Sequence, residues 1–170
     1  MHPMPRTDFG RMNCSIARAI DILGEPWTPL ILRDLLLGFT HFDEMQRDLG
    51  VSTNILADRL RRLTKDGVIE RRRYGAHPKR YEYHLTDKGR DAVPILLALV
   101  AWGDRWEAGG AGPPTDVIHT RCGKPTAAVA HCGACGRKLE QSELVYRNGR
   151  GAETAPGTLL LREKLRGRRR

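Results

Sequence analysis

Residues 42–74, FDEMQRDLGVSTNILADRLRRLTKDGVIERRRY, contain two helical patterns joined by a short turn that includes Gly50. The apolar residues of the first pattern recur at the spacing of one helix face: Phe42, Met45 and Leu49. Ser52 is a helix-capping residue, and it predicts a second helix that reaches Asp66 and ends before Gly67. A helix, a tight turn and a second helix in this order predict a helix-turn-helix.

Two further helices are predicted upstream of this stretch. Residues 15–23 place isoleucine, alanine and leucine at helical spacing before a glycine, and residues 27–37 are dense in leucine and isoleucine. Thr40 then begins the third helix, because Thr40 and Asp43 fit a capping box with reciprocal hydroxyl and carboxylate hydrogen bonds. The first part of the chain is therefore expected to be helical.

The spacing of apolar residues changes after the helix-turn-helix. Residues 68–74 are rich in strand-forming residues and residues 81–85 alternate, which favours two β-strands. The loop between them, residues 75–80, carries three side chains that can be cationic: His77, Lys79 and Arg80. Two strands around a basic loop, directly after a helix-turn-helix, are typical of a wing.

A long helix is predicted next, from a cap at Thr86 to Trp106. Its apolar residues form a wide face: Val93, Leu96, Leu97, Val100 and Trp106. So much leucine, valine and tryptophan outside the compact core requires a partner surface. We expect homodimerisation through this helix, and the alternative is that the helix packs on its own domain.

These elements predict an α+β fold that is mostly α: a winged helix-turn-helix with a long C-terminal dimerisation helix and a small C-terminal module. Residues 109–116 form a linker rich in glycine and proline. They separate residues 1–108, the winged helix-turn-helix and dimerisation domain, from a Cys-rich module at residues 117–148. Residues 149–170 form a basic tail that we expect to be flexible.

The net charge of +9 is concentrated in two regions of the chain. Residues 59–80 contain nine Lys or Arg against two Asp or Glu, and residues 111–170 contain twelve against five. A basic block inside a foldable region favours a polyanionic partner, although many such runs are only a solvated face.

The hydropathy pattern argues against a membrane protein. No apolar run approaches the length of about 18 residues that a bilayer span needs, and the N-terminus lacks the apolar core of a signal peptide. We therefore expect no membrane partner and a cytoplasmic location. In that reducing compartment the four cysteines are expected to be metal ligands, redox-active thiols or buried residues, and not disulfides.

Two motifs occur in order along the chain. Residues 27–38 follow W-x-x-x-I-L-R-x-L-x-x-G, and residues 56–71 follow L-x-x-R-L-R-x-L-x-x-D-G-x-I-x-R. On these motifs, residues 14–106 resemble the HxlR-type winged helix-turn-helix regulators, which are bacterial relatives of the MarR-like transcription factors. The resemblance implies a dimeric regulator that binds double-stranded DNA. It also implies a response to oxidants or reactive small molecules, which some members sense through a cysteine near the first helix.

Helical geometry divides residues 53–65 into two sides, at about 100° per residue. The buried side holds the leucines: Leu56, Leu60 and Leu63. The outward side carries candidate DNA contacts: Asn54, Ala57, Asp58, Arg61 and Lys65. Arginine recognises guanine and asparagine recognises adenine through paired hydrogen bonds. For Asp58 we expect an ion pair with Arg61 or Arg62.

Further DNA contacts are predicted around this outward side. Ser52 and Thr53 lie at a helix N-terminus, which favours phosphate, and Arg62 can reach a backbone phosphate. Arg59 faces the buried side and is expected to be structural. The cations of the wing loop, His77, Lys79 and Arg80, are expected to follow a groove or a phosphate strand. Strand alternation lets only some of the arginines at 71–73 face the DNA.

Cys14 immediately precedes the first helix, where the positive end of the helix dipole favours a thiolate. Arg11 and Arg18 add positive charge nearby in the sequence. An accessible thiol of this kind can be oxidised or alkylated, so Cys14 is the redox-sensing candidate. The alternative is that Cys14 is an inert, buried residue.

The sequences HTRC, residues 119–122, and CGAC, residues 132–135, share one spacing, and a glycine follows each. Four nitrogen and sulfur ligands complete a tetrahedral structural zinc site. We therefore expect a zinc-ribbon-like module in which Zn²⁺ is bound by four side chains: His119, Cys122, Cys132 and Cys135. His131 is an alternative fourth ligand. A metal-free hairpin with free thiols, or a redox pair formed by Cys132 and Cys135, would also explain the spacing.

The sequence therefore predicts a dimeric, sequence-specific transcriptional regulator. The alternative is a protein–protein interaction module that uses residues 117–148 and for which DNA binding is incidental. An enzyme is not expected, because the sequence contains no G-x-S-x-G, phosphate loop, H-E-x-x-H or other assembled catalytic motif.

Overall fold

A computed structural model describes residues 9, 11–74 and 81–166. Helices α1 (Ser15–Leu23), α2 (Thr28–Leu36), α3 (Phe42–Leu49) and α4 (Thr53–Lys65) precede the strands β1 (Ile69–Arg73) and β2 (Tyr81–Leu85). Helices α5 (Asp87–Arg90) and α6 (Val93–Trp106) follow. The rest contains strands β3 (Ile118–His119) and β4 (Lys124–Pro125) and helix α7 (Leu161–Arg166). Within the described residues, no helix is both long and apolar enough to cross a bilayer.

The hydrophobic core lies between α2, α3, α4 and β1. Its most deeply buried apolar side chains are Ile31, Leu32, Met45, Leu56, Leu60, Leu63, Val68 and Ile69. α3 ends at Gly50, whose φ of +60° lies in the left-handed region that glycine adopts without strain. The predicted helix-turn-helix is confirmed, and so is the leucine side of α4 as its buried side.

The start of α3 differs from the prediction by one residue. The capping residue is His41 and not Thr40, because the His41 amide donates to Glu44 Oε2 over 3.2 Å. This hydrogen bond lowers the pKa of Glu44 below its ordinary value. Thr40 is held outside the helix because its carbonyl accepts a 2.9 Å hydrogen bond from the Tyr83 amide of β2. A contact from a distant strand therefore determines where the helix begins.

The long helix predicted after Thr86 is in fact two helices. α5 ends at Arg90, and α6 begins at Val93 with Pro94 in its first turn. Proline has no amide hydrogen, and its ring clashes with the carbonyl four residues earlier, here that of Arg90, so the helix cannot continue unbroken. The predicted cap is confirmed, since Thr86 Oγ1 accepts a 3.2 Å hydrogen bond from the Gly89 amide.

At Gly89, α5 lies directly against the base of the hairpin, beside Val68 and Leu85. A Cβ added at this position would lie only 2.2 Å from the Val68 carbonyl oxygen. The Thr86 hydroxyl lies 2.6 Å from the Gly67 carbonyl oxygen and 3.0 Å from that of Val68. Only glycine fits at this junction, which fixes the start of α5 to the hairpin.

The exposed apolar face of α6 coincides only in part with the predicted face, of which Val100 and Trp106 are exposed. Leu96 packs against the core, while Val93 and Leu97 are half-buried. Four exposed apolar residues recur at intervals of four, three and four along the helix, and we call them the α6 stripe: Ile95, Leu99, Trp102 and Trp106. The structure describes every residue of α6, and none of them is buried.

β1 and β2 form an antiparallel hairpin in which Ile69 lies opposite Leu85 and Arg73 lies opposite Tyr81. Both predicted strands of the wing are confirmed. The predicted contacts His77, Lys79 and Arg80 lie outside the described residues.

Beyond α6 the chain forms short turns that pack loosely, and its last described part returns to the start of α1. The Glu153 amide donates to Asn13 Oδ1 over 3.2 Å. Gly157 lies so close to Met12 that a Cβ on it would be 2.9 Å from the methionine sulfur. The predicted domain boundaries stay predictions.

Asp34 is a carboxylate inside the core, with no exposed surface. Its Oδ1 accepts hydrogen bonds from Arg33 Nε at 2.9 Å and from Arg33 Nη2 at 2.6 Å. Arg33 Nη2 also lies 2.5 Å from Asp48 Oδ2, which links α2 to α3. Burial raises the pKa of Asp34 above its ordinary value, although the Arg33 charge opposes the shift.

We expect Asp34→Asn to flatten the pH dependence of stability. A raised carboxyl pKa means that the folded state binds a proton more readily than the unfolded state, so the free energy of unfolding decreases as pH rises from the ordinary pKa upward. Urea unfolding between about pH 4 and pH 7 measures this slope. Asp48→Asn, which alters an exposed partner of the same arginine, is the control with the smaller expected change; equal slopes in Asp34→Asn and wild type would contradict the assignment.

Candidate nucleic-acid interface

α4 presents its polar side to solvent because its opposite side is anchored in the core. Leu56, Leu60 and Leu63 are each at most 2% exposed. The side turned away from them is exposed, and we call it the α4 face: Asn54, Ala57, Arg61 and Lys65. The α4 face therefore offers an amide, a guanidinium and an ammonium group on one rigid helix.

Asp58 lies at the edge of the α4 face and is engaged by arginines. Its Oδ1 lies 3.1 Å from Arg61 Nη2, and its Oδ2 lies 2.9 Å from Arg62 Nε. The sequence predicted one of these ion pairs, and the structure contains both. Because the Arg61 side chain is 73% exposed, its pair with Asp58 is weak and Arg61 can exchange this carboxylate for another partner.

Arg59 belongs to the interior side of α4, as predicted. Its Nη2 lies 2.7 Å from Glu25 Oε2, and its side chain is 19% exposed. Within the described residues, the buried Nε and Nη1 atoms of Arg59 lack a hydrogen-bond partner. Arg59 therefore ties α4 to the segment after α1 and is not available at the surface.

The N-terminus of α4 is organised by two hydroxyl side chains. Ser52 Oγ accepts the Ile55 amide at 3.5 Å, which is the predicted cap. Thr53 Oγ1 accepts a 2.9 Å hydrogen bond from Gln46 Nε2 of α3, so the Thr53 hydroxyl hydrogen is directed elsewhere. Gln46 was not among the predicted site residues, because no periodicity indicates a contact across the turn.

The wing contributes Arg71 to the same surface. Arg71 lies opposite Tyr83 in the hairpin and above the Tyr81 ring, with its guanidinium carbon 4.0 Å from the ring centroid. Burial raises the pKa of Tyr83, although the positive charge of Arg71 acts in the opposite direction. A groove of about 480 Å³ separates α4 from the wing, and Arg61 and Arg71 both line it. Arg71 thus lines the candidate site. From strand alternation alone, the sequence could not show which of the three arginines faces it.

The neighbouring Arg72 points away from this groove. Successive strand residues alternate between the two faces of a hairpin, so Arg71 and Arg73 share one face and Arg72 lies on the other. Arg72 forms an ion pair with Glu70 on that second face. The alternation predicted from the sequence therefore divides the three arginines into two sets.

Cys14 is the capping residue of α1 and is partly exposed. Its side chain forms no capping hydrogen bond, while its carbonyl accepts the Arg18 amide at 3.0 Å. The flanking Asn13 binds the Glu153 amide, which places the C-terminal part of the chain beside this cysteine. The alternative of a fully buried Cys14 is therefore not met, and a reactive role stays a prediction.

The predicted zinc ligands are arranged as two separate pairs. His119 Nδ1 lies 3.3 Å from Cys122 Sγ. In the second pair, the Cys135 and Ala134 amides donate to the Cys132 sulfur, and these hydrogen bonds lower the pKa of the Cys132 thiol. Within the described part of the chain, no three His, Cys, Asp or Glu side chains are grouped closely enough to hold a metal ion.

The α4 face and Arg71 together have the chemistry of a surface that binds nucleic acid. An amide and a guanidinium on an exposed helix can form paired hydrogen bonds with base edges, and the ammonium group of Lys65 can neutralise a phosphate. The leucine side of α4 prevents the helix from turning, so these groups are presented in a fixed order.

A family comparison identifies the part of the chain that carries this surface. Residues 22–110 match the model of the HxlR-like helix-turn-helix family. The match begins in α1 and ends just beyond α6, so it includes the α4 face and the wing.

Similar curated proteins carry the name of one functional class. An HTH-type transcriptional regulator of Mycobacterium bovis is 35% identical over 137 residues, which is 81% of this chain and 87% of that protein. The HTH-type transcriptional regulator YvaP of Bacillus subtilis is 39% identical over 90 residues, which is 52% of this chain and 83% of YvaP.

Solved structures show the same architecture. The crystal structure of PA1607 superposes with a TM-score of 0.75 at 32% identity and covers 84% of this chain and 100% of its own. The redox regulator HypR in its oxidised form superposes with a TM-score of 0.50 at 30% identity and covers 54% of this chain and 96% of its own.

Proposed function

The chain belongs to the HxlR-like helix-turn-helix family, and we propose that it regulates transcription as a homodimer that binds double-stranded DNA through α4 and the wing. The observation that carries this proposal is the α4 face, where Asn54, Arg61 and Lys65 lie exposed opposite a fully buried leucine side. In a helix-turn-helix the second helix lies in the major groove, and α4 is the second helix of this pair. Regulators of this kind are not enzymes, and a cytoplasmic location stays a prediction.

The second contact of each protomer would be the wing. Arg71 lines the groove beside α4, so a phosphate strand that follows this groove would meet Arg71 while Arg61 of α4 reaches a base edge. A guanidinium at the edge of this groove favours a phosphate there, because arginine binds phosphate with paired hydrogen bonds. The undescribed wing residues His77, Lys79 and Arg80 are proposed to extend this contact.

We expect Arg61→Ala to weaken binding to a selected operator by about 1–3 kcal/mol and to relax the preference at one base pair. The operator is obtained by selection of random duplex DNA with the full chain, and binding is measured by fluorescence anisotropy. Arg72→Ala is the matched control, because Arg72 is paired with Glu70 and turned away from the groove. If Arg61→Ala weakens selected and random duplexes equally, Arg61 does not recognise a base.

The proposed dimer rests on the α6 stripe. Ile95, Leu99, Trp102 and Trp106 are 47%, 54%, 59% and 62% exposed. Their spacing is that of a helix–helix seam, in which apolar residues alternate between intervals of three and four. Large apolar side chains in a continuous stripe indicate a surface that another molecule covers. A second copy of the chain is the economical occupant, because two-fold proteins match two-fold DNA sites.

We expect Leu99→Asp to convert the protein from a dimer to a monomer, because a charge at the centre of an apolar seam remains unpaired on association. Sedimentation equilibrium measures the mass, which should fall by half. Val145→Asp is the control, since Val145 is 65% exposed but lies in the Cys-rich module. A monomeric wild-type protein, or a dimeric Leu99→Asp variant, would show that the α6 stripe has another role.

A response to oxidants is proposed as a property of Cys14. The support is its position at the start of α1 together with the likeness to HypR, which is named a redox regulator. α1 carries exposed Ile16 and Ile20, so a modification at its first turn acts close to a surface that association would cover. An oxidised or alkylated Cys14 would thereby alter the distance between two DNA-binding units.

Diamide, a thiol oxidant, is expected to reduce the operator affinity of the wild-type protein and to leave Cys14→Ser unaffected. Cys135→Ser is the control, because it removes an exposed thiol of the Cys-rich module and should keep the response. Anisotropy titrations before and after reduction measure the change. A full response in Cys14→Ser would assign oxidant sensing to another cysteine.

The second candidate function is protein–protein interaction through the Cys-rich module, and an exposed apolar segment supports it. Leu144, Val145 and Tyr146 are consecutive exposed apolar residues at its end. A protein partner that covers them would add to the DNA contact of α4.

A further inference from the structure

The Cys-rich module, residues 117–148, folds without a hydrophobic core. The structure describes every residue from 113 to 151, and it buries none of their side chains. β3 and β4 pair over only two residues each. A segment of this size with so little secondary structure is not stable on apolar burial alone, and it needs a metal, a cross-link or a partner.

The first turn of the module brings His119 and Cys122 together. The His119 carbonyl accepts the amides of Cys122 at 3.1 Å and of Gly123 at 2.8 Å. Gly123 has a φ of +68°, which closes the turn before β4 begins at Lys124. The 3.3 Å between His119 Nδ1 and Cys122 Sγ is close to the separation of about 3.5 Å between nitrogen and sulfur ligands on one tetrahedral Zn²⁺.

The second turn repeats this design at Cys132 and Cys135. The Cys132 carbonyl accepts the Gly136 amide at 2.8 Å, and Gly136 has a φ of +72°. A bridge between His131 and Lys138 closes the hairpin behind it.

We propose that these two turns are the halves of one structural zinc site with the ligands His119, Cys122, Cys132 and Cys135. Each turn already holds two donors beside each other, and neither donor pair has a core to stabilise it. The pairs are separate in this structure, and Zn²⁺ would join them with release of the three thiol protons to solvent. Four protein ligands leave no open position, so the metal would act in folding and not in catalysis.

His119 is the histidine of this set. His119 Nδ1 lies 3.3 Å from the Cys122 sulfur, so the first turn already pairs a nitrogen donor with a sulfur donor, whereas His131 Nδ1 contacts the Val129 carbonyl oxygen at 3.0 Å and would have to bind through Nε2. His119 and Cys122 also hold in the first turn the positions that Cys132 and Cys135 hold in the second. The zinc site is independent of the proposed DNA contact, because none of its ligands lies on α4 or the wing.

The test measures zinc in the full-length protein, purified without chelator from zinc-containing medium and analysed by plasma mass spectrometry. We expect about one zinc per chain, the content of one four-ligand site. Cys132→Ser and His119→Ala should lose most of this zinc. Cys14→Ser and His131→Ala are the matched controls and should retain it, because each removes a residue of the same type outside the ligand set.

A second measurement uses the unaltered chain, so that misfolding of a variant cannot explain the result. Titration with a mercurial reagent should release one zinc as three thiols react, monitored with a chromogenic chelator. Replacement of zinc by Co²⁺ should give the visible bands of tetrahedral cobalt and a sulfur-to-cobalt charge-transfer band. A chain that stays zinc-free after exposure to Zn²⁺ under reducing conditions, or a Cys132→Ser variant that keeps its zinc, overturns the proposal.

Discussion

The burial of one side of α4 is the constraint on which the rest of the structure depends. Leu56, Leu60 and Leu63 are buried in one cluster with residues of α2, α3 and β1, and this burial fixes the rotation of the helix about its own axis. A helix has a period of about 3.6 residues, so fixing the inner side also fixes which groups face outward. Arg59 on the inner side is engaged by Glu25, while Arg61, two residues later, faces solvent. The same leucines therefore support the fold and determine the chemistry of the exposed surface.

Carboxylates next to the arginines neutralise part of the positive charge of this surface. Asp58 engages Arg61 and Arg62, and Glu70 engages Arg72. Pairs of this kind are weak at an exposed surface, so they orient side chains without preventing exchange with phosphate. The net charge of +9 thus describes long-range attraction, whereas the ion pairs determine which arginines are presented to a ligand.

The sequence predicted the helices, the hairpin and the orientation of α4 because periodicity and capping are local signals. It failed where distant parts of the chain meet. Thr40 was wrongly predicted as the cap of α3, because its carbonyl accepts a hydrogen bond from the Tyr83 amide of β2. The exposed face of α6 was predicted only in part, because Pro94 restarts the helix and packing of Leu96 on the core then sets its rotation. Gln46 contacts Thr53 across a turn, and Arg71 lies across a groove from Arg61. Sequence periodicity predicts neither of these contacts.

The junction at Gly89 has a mechanical consequence. With the Val68 carbonyl oxygen 2.2 Å from where a Cβ would be, α5 has no room to slide along the hairpin. The position of α5 against the hairpin is therefore fixed by backbone contact. Any side chain at position 89 would displace α5 from the hairpin, and the direction in which the chain enters α6 would change with it.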